Sequence, residues 1–133
     1  MGFQTADEVN QYVGGIFETA FKDPDIGPKL VDTGIVLRVV ATDPDTSFVA
    51  DLGKQTVSYD EGGSTPNATL TMSADMHNQY WQGKVNLPFA MATKKVKLDG
   101  NVALMLKLAP LGKKLYAVYT DRLEQDGRTD LLL

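Results

Sequence analysis

Residues 101–109, NVALMLKLA, constrain the fold of this chain more than any other stretch. The segment begins with Asn101, a good N-cap residue, and Lys107 is the one charged residue before Pro110. A helix at the rim of a globular protein carries one apolar stripe and one polar face. The helix predicted here is apolar almost all round, so we expect apolar neighbours on two of its sides.

Three kinds of neighbour fit the second apolar side: a further helix of a dry core, a partner subunit, or a ligand. The helix predicted to follow, over residues 113–127, covers part of this surface. Methionine adapts to varied apolar shapes, and apolar pockets with few polar groups are typical of small-molecule sites. The methionines at predicted inward or lid-like positions are Met72, Met76, Met91 and Met105. They favour a ligand, while the dry core stays an open alternative.

The whole chain excludes several classes of protein. Its 133 residues suit a single domain over residues 1–133, and its net charge of −4 argues against a nucleic-acid binder. It contains no cysteine, which excludes disulfides and thiolate metal sites. No secretory signal pattern is present, and no apolar run approaches the roughly 20 residues of a membrane span. We therefore expect a cytoplasmic protein.

Hydrophobic spacing predicts an α+β order of elements. Thr5 and Glu8 form a predicted capping box, and Gly14-Gly15 in the helix that follows suggests close packing against a neighbour. The predicted elements are helix 6–22, strands 34–43, 47–54, 55–60 and 68–73, helices 74–83 and 88–93, strand 94–100, and helices 101–109 and 113–127. Short turns join the first four strands, which predicts an antiparallel meander with one buried face and with Tyr59 pointing inward.

The sequence contains no recognisable catalytic motif. His77 is the only histidine, and no spacing supplies the orienting partner and nucleophile that a general base needs. We expect His77 to be exposed or structurally bonded instead. Ser64 and Ser73 lack a nucleophile elbow, and no phosphate-binding loop or metal-ligand spacing occurs. We therefore expect no enzymatic activity, no cofactor and no metal.

Residues 67–111 resemble the sterol carrier protein 2 family. The matching features are ATLTMS leading into a helix, then Gly-Lys-Val-Asn with a following Pro, Ala and Met over residues 83–91, then KVKLDGN, then an apolar helix carrying Lys107 and Leu108. A leading helix and a strand region ahead of this stretch extend the likeness to about residues 10–123. The order of these features is more specific than any one of them.

The resemblance implies a five-stranded, mostly antiparallel sheet covered by helices, with an apolar tunnel between sheet and helices. It implies non-catalytic binding and carriage of a fatty acid, a fatty acyl-CoA, a sterol or a phospholipid in that tunnel. Predicted helix faces and this tunnel position together select ten candidate lining residues. They are Met76, Trp81, Phe89, Met91, Leu104, Met105, Leu108, Leu111, Leu115 and Tyr119.

Other readings of the surface stay open. The alternative function is a protein-interaction or dimerisation domain that uses the apolar helical face, with a homodimer as one form. The pairs Lys94-Lys95 and Lys113-Lys114 suit either a solvated face or a weak, transient contact with anionic headgroups of a membrane surface. Residues 131–133, three leucines, suit either a frayed tail or a segment packed on this chain or on a second copy.

Overall fold

The computed structural model describes residues 2–59 and 64–133, with all side chains in these ranges except those of Val102 and Met105. The helices are α1 Ala6–Val9, α2 Gly15–Lys22, α3 Ile26–Thr33, α4 Ala74–Tyr80, α5 Leu87–Ala92, α6 Val102–Met105 and α7 Gly112–Gln125. A π-helix, Asn10–Gly14, joins α1 to α2, and a 3-10 helix, Ala109–Leu111, precedes α7. The strands are β1 Val36–Thr42, β2 Thr46–Asp51, β3 Thr56–Ser58, β4 Ala68–Ser73 and β5 Val96–Gly100.

The five strands form one mostly antiparallel sheet in the order β3-β2-β1-β4-β5. The predicted four-stranded meander is wrong in one respect: β4 lies beside β1, and the two run parallel, with Val39 opposite Leu70. The other three pairings are antiparallel. Alternation of apolar and polar residues shows which face of a strand is buried, but it does not identify the neighbouring strand. The position of β4 is therefore a property of the tertiary fold.

Side chains on one face of the sheet form the floor of the core. Leu37, Val39 and Ala41 of β1 are all nearly inaccessible, and Phe48 of β2 and Met72 of β4 are equally buried on the same face. The helices cover this face. Burial of apolar surface contributes about 25 cal/mol per Å², so packing of the helices on this face of the sheet stabilises the fold.

The N-terminal helix follows the sequence prediction. The Thr5 hydroxyl accepts a hydrogen bond from the Glu8 backbone N–H at 3.2 Å. A Cβ on Gly14 would lie 2.5 Å from the Tyr59 hydroxyl oxygen, so only glycine lets this tyrosine pack here. Tyr59 itself is 41% exposed and donates to Glu18 at 2.6 Å. Its ring lies 5.8 Å from that of the buried Phe48, so Tyr59 points to the helix-covered face as predicted, but it lies at the exposed edge of that face.

The apolar segment at residues 101–109 is shorter as a helix than the sequence predicted. Asn101 caps α6, accepting from the Leu104 backbone N–H at 3.3 Å, but α6 ends at Met105. Beyond α6 the backbone N–H groups of Lys107 and Ala109 bond to carbonyls three residues earlier, those of Leu104 and Leu106, and Pro110 has no N–H with which to restore a four-residue bond to Leu106. The chain therefore turns after α6, and Leu106 is left 70% exposed.

The C-terminal leucines pack on their own chain. Leu131 is fully buried, and its carbonyl accepts hydrogen bonds from the side-chain amides of Asn78 and Gln82, each at 2.9 Å. The Leu133 backbone N–H donates to the Gln82 side-chain oxygen at 3.0 Å. The tail is thus tied to α4, and the frayed-tail alternative is wrong.

Among the described residues, no helix is both long enough and apolar enough to cross a lipid bilayer.

Candidate functional site

An apolar cavity of about 380 Å³ lies between one end of the sheet and the helices that cover it. Leu70 of β4 and Leu98 of β5 form its floor, and these two leucines are direct cross-strand partners. Because alternate residues of a strand point to the same face, the pairing sets both side chains next to each other below the helices.

Helices α4, α5 and α7 form the walls of the cavity. The wall residues from these helices and their ends are Tyr80, Trp81, Leu87, Met91, Leu115 and Tyr116. The turn after α4 depends on Gly83, whose φ is +75° and whose added Cβ would lie 3.1 Å from the Tyr116 ring. A side chain there would be strained and would push Tyr116 away from α4.

The cavity opens to solvent between α5 and the segment after α6. Met91 and Leu106 both line the cavity, yet they are 38% and 70% exposed. Leu108, two residues beyond Leu106, also lines the cavity but is buried. The mouth of the cavity is therefore bordered by apolar side chains that face both the interior and water.

Hydrogen bonding through His77 holds Trp81 in place. The Trp81 indole N–H donates to Nδ1 of His77 at 3.3 Å, and Nε2 of His77 lies 2.9 Å from the Val40 carbonyl oxygen. A carbonyl only accepts, so Nε2 carries the proton and the imidazole is neutral. His77 is fully buried, and burial lowers its pKa to about 4. His77 is therefore structurally bonded, which is one of the two alternatives expected from the sequence.

Aromatic packing adds to the rigidity of this wall. The Trp81 ring meets the Phe17 ring edge to face at 5.6 Å between centroids and the Tyr80 ring at 4.9 Å. Tyr80 in turn meets Tyr116 at 6.3 Å. Such edge-to-face pairs are worth about 1 kcal/mol each beyond the area that they bury. Trp81, Tyr80 and Tyr116 are therefore each held by at least one neighbouring ring.

The electrostatics of the cavity suit the uncharged, apolar part of a guest. Among the described residues that line it, none carries a formal charge at neutral pH. Burial raises the pKa of Tyr80 to about 12, so its phenol stays protonated. A charged group placed here would lose its hydration without a counter-ion, which is costly. The tyrosine hydroxyls of the wall are the groups able to hydrogen-bond a polar end of a ligand.

Four of the ten candidate residues from the sequence line this cavity. They are Trp81, Met91, Leu108 and Leu115. Their shared wall matches the expected position between sheet and helices, although their contact with a ligand stays a prediction.

Three other candidates lie on or near the surface, away from the cavity lining. Phe89 is on α5 but 64% exposed, although the next residue, Ala90, is buried. Met76 lines a separate groove together with Lys94 and Lys95. Leu104 of α6 is half-buried and packs against the core, but it does not line the cavity.

Of the last three candidates, two are buried in the core outside the cavity lining, and the side chain of the third lies outside the described residues. Leu111 and Tyr119 are buried in the core and do not line the cavity. The Tyr119 hydroxyl donates to the Asn78 side-chain oxygen at 2.6 Å, which fixes it one helical turn beyond Leu115. The side chain of Met105 lies outside the described residues, so its candidacy stays a prediction.

Several lining residues escaped the sequence reasoning. Leu70 and Leu98 had a usable signal, since strand alternation already placed both on the inner face. No sequence signal identified Tyr80 and Tyr116. Both lie at the edge of the apolar stripe of their helix, and neighbouring positions on a helix point about 100° apart, so the pattern does not show whether such a side chain faces inward. The remaining unpredicted lining residues are Val85, Leu87, Leu106, Ala109 and Gly112.

Acid should destabilise the protein through His77. The pKa of His77 is lowered to about 4 by burial, from an ordinary value of 6.5. Between these pH values the unfolded chain binds a proton at His77 that the folded chain does not bind. The free energy of unfolding therefore decreases as the pH is lowered, and at pH 5 it is about 2 kcal/mol below its value at neutral pH. Urea unfolding across this range, in wild type and in a His77→Gln variant, measures the effect. Equal pH slopes for the two proteins would contradict it.

Comparisons with known proteins agree with this architecture. The solution structure of the sterol carrier protein domain 2 of Helicoverpa armigera is similar, with a TM-score of 0.65 and 25% identity over 88% of this chain and 95% of that chain. Apo sterol carrier protein 2 from Yarrowia lipolytica has a TM-score of 0.63 and 18% identity, covering 80% of this chain and 99% of that chain. The Aedes aegypti sterol carrier protein 2 complex with palmitate has a TM-score of 0.55 and 24% identity, covering 83% and 96%.

A search among curated proteins finds no significant match. The family model described as the SCP-2 sterol transfer family matches residues 16–113, which include both floor strands, α4, α5 and the segment that borders the mouth of the cavity. With that match over most of its length, the chain belongs to the SCP-2 sterol transfer family.

Proposed function

We propose that this protein binds a fatty acid or another lipid with one slender apolar chain in the cavity, and carries it without catalysing a reaction. The observation that carries the proposal is the uncharged cavity of about 380 Å³ walled by rigid aromatic rings. Ligand pockets range over roughly 300–1,000 Å³, and this one is at the small end, which favours a slender chain over a bulky ring system.

The energetics support an alkyl chain. Each buried methylene contributes about 0.8 kcal/mol, so a long acyl chain gains enough to offset the cost of association without a network of hydrogen bonds. The same reasoning predicts broad specificity, because one methylene more or less changes affinity only modestly. The relative from Aedes aegypti whose structure contains the C16 fatty acid palmitate gives the proposal a precedent.

The non-catalytic part of the proposal rests on His77. Both ring nitrogens of this histidine are engaged in structural hydrogen bonds, and its side chain is outside the cavity lining. A cytoplasmic location, a homodimer, and binding of sterol, fatty acyl-CoA or phospholipid in place of fatty acid stay predictions.

Titration of the purified protein with palmitate tests the proposal. Trp81 is the only tryptophan and lines the cavity, so its fluorescence should change saturably with one ligand per chain. Mass spectrometry of an organic extract of the protein should also detect co-purified fatty acid. A flat fluorescence titration together with a lipid-free extract would refute the proposal. Sedimentation as a dimer with neither signal would favour the dimerisation alternative.

A further inference from the structure

A second recess, a groove of about 540 Å³, lies at the edge of the sheet where the parallel strands β1 and β4 end. Thr42 is the last residue of β1 and Ser73 the last of β4, and the two are direct partners. Thr71 lies opposite Lys97 of β5. All four residues line the groove, and no residue that lines it also lines the cavity. The groove is therefore a separate site.

The charge of the groove is opposite to that of the protein. Lys94, Lys95 and Lys97 line it and are exposed, and none of its described lining residues is acidic. Lys97 reaches Asp99 only at 3.7 Å, and neither Lys94 nor Lys95 forms an ion pair with any described residue, unlike Lys29 and Lys114. A chain of net charge −4 thus places three lysines around one recess, and this arrangement attracts anions.

A short turn fixes the backbone of two of these lysines. The Lys94 backbone N–H donates to the Met91 carbonyl at 3.1 Å, and the Lys95 backbone N–H donates to the Ala90 carbonyl at 2.9 Å. Lys94 has a φ of +63°, in the left-handed region that favours glycine. The two lysines are therefore held at the start of β5, next to the end of β4.

Hydroxyl groups lie beside the lysines. The Ser73 hydroxyl accepts from the Met76 backbone N–H at 3.1 Å and keeps its own proton for a further bond. The hydroxyls of Thr42 and Thr71 have no hydrogen-bond partner among the described residues, and both residues line the groove. Ammonium and hydroxyl donors together suit a phosphate monoester, which has three acceptor oxygens and nearly two negative charges at neutral pH.

The size of the groove indicates an organic part beside the phosphate. Its volume is within the roughly 300–1,000 Å³ of small-molecule sites, and it exceeds what a phosphate group alone would fill. Met72 and Met76 also line it and offer an adaptable apolar surface. Because Met72 is buried and Met76 half-buried, neither side chain projects for insertion into a bilayer. This favours a soluble ligand over a lipid headgroup.

We propose that this groove binds a small, water-soluble organic phosphate monoester. The three lysines and the hydroxyls of Thr42 and Thr71 hold the phosphate, and the two methionines contact the organic part. The proposal does not rest on the proposed function of the cavity, since the two sites share no lining residue.

Titration with phenyl phosphate, followed by two-dimensional ¹⁵N–¹H NMR, tests the proposal. Amide signals of residues 71–73 and 94–97 should shift saturably, and phenol should not shift them. A K94Q/K95Q variant should bind about tenfold more weakly, since each exposed ion pair contributes a factor of about three. T71V, which leaves the charge unchanged, should bind about fivefold more weakly because one hydrogen bond to the phosphate is lost.

Two matched controls separate the groove from general effects of charge and of strand substitution. K22Q/K54Q removes two exposed lysines elsewhere and gives the same net charge as K94Q/K95Q. T69V changes a threonine of the same strand that does not line the groove. Both controls should bind phenyl phosphate as the wild type does. Equal weakening by either control, or shifts that do not saturate, would overturn the proposal.

Further arms identify the source of the phosphate and keep the two proposals apart. Vesicles that contain phosphatidic acid should not displace phenyl phosphate, and displacement by them would refute a soluble ligand. K94Q/K95Q and T71V should bind palmitate as the wild type does, since none of these residues lines the cavity. Failure of the phenyl phosphate titration overturns the groove proposal alone, and failure of the palmitate titration overturns the cavity proposal alone.

Discussion

A Leu98→Trp variant should bind palmitate at least about 50-fold more weakly than the wild type. Leu98 is half-buried on the cavity floor, so a larger ring at this position extends into the cavity rather than into packed core. If the indole displaces about three methylenes of the ligand, the loss is about 2.4 kcal/mol, or roughly 50-fold in affinity. Isothermal titration calorimetry measures the change in affinity, and its signal does not depend on the tryptophan that the substitution adds.

The matched control for this variant is Val49→Trp. Val49 is also a half-buried apolar strand residue, but it lies on the face of the sheet opposite the buried Phe48 and Ala50. It should leave palmitate affinity unchanged. Both variants should keep the circular dichroism spectrum of the wild type, since neither position is fully packed. Unchanged affinity in a folded Leu98→Trp protein would mean that the ligand binds elsewhere.

Replacing Trp81 with alanine should lower the free energy of unfolding by about 4 kcal/mol. The indole is 2% exposed, and removing a buried aromatic ring costs about 3–5 kcal/mol because the void does not fully collapse. The change also leaves Nδ1 of His77 without its donor. Urea unfolding followed by far-ultraviolet circular dichroism measures the loss, since this variant has no tryptophan fluorescence.

A Trp81→Phe variant separates the two contributions. It keeps most of the ring and removes the indole N–H, so it should cost about 1–3 kcal/mol from the buried, unpaired acceptor on His77. Phe89→Ala, which truncates an aromatic ring that is 64% exposed, should change stability by less than about 0.5 kcal/mol. A Trp81→Ala protein as stable as the Phe89→Ala protein would show that the aromatic wall does not support the fold.

Local features of the structure were predictable from the sequence. The side chains of Thr5 and Asn101 cap α1 and α6 as expected, and Ser73 caps α4 in the same way, each accepting from the backbone N–H three residues later. Caps depend on a side chain and a backbone group a few residues apart, so the local sequence is enough. The inward faces of β1 and β4 followed from alternation for the same reason.

The candidate site was predictable only in outline. Trp81 and Leu115 were found because the predicted helix faces and the tunnel position implied by the family resemblance together selected them. Phe89 was misplaced because α5 has six residues, and so short a helix does not define a buried face by its spacing alone. Leu106 was seen as part of an apolar helix, and its exposure at the mouth follows from the early end of α6 before Pro110.

The amino-acid sequence by itself determined the elements, their caps, their apolar faces and the excess of apolar surface in the C-terminal half. Only the tertiary structure decided that β4 pairs with β1, that Leu70 and Leu98 meet below Tyr80 and Tyr116, and that a volume of about 380 Å³ stays unfilled between them. The physical reason is that periodicity is a property of each element alone. A cavity is the space that remains when elements distant in the chain pack together, and its size depends on how closely their surfaces fit.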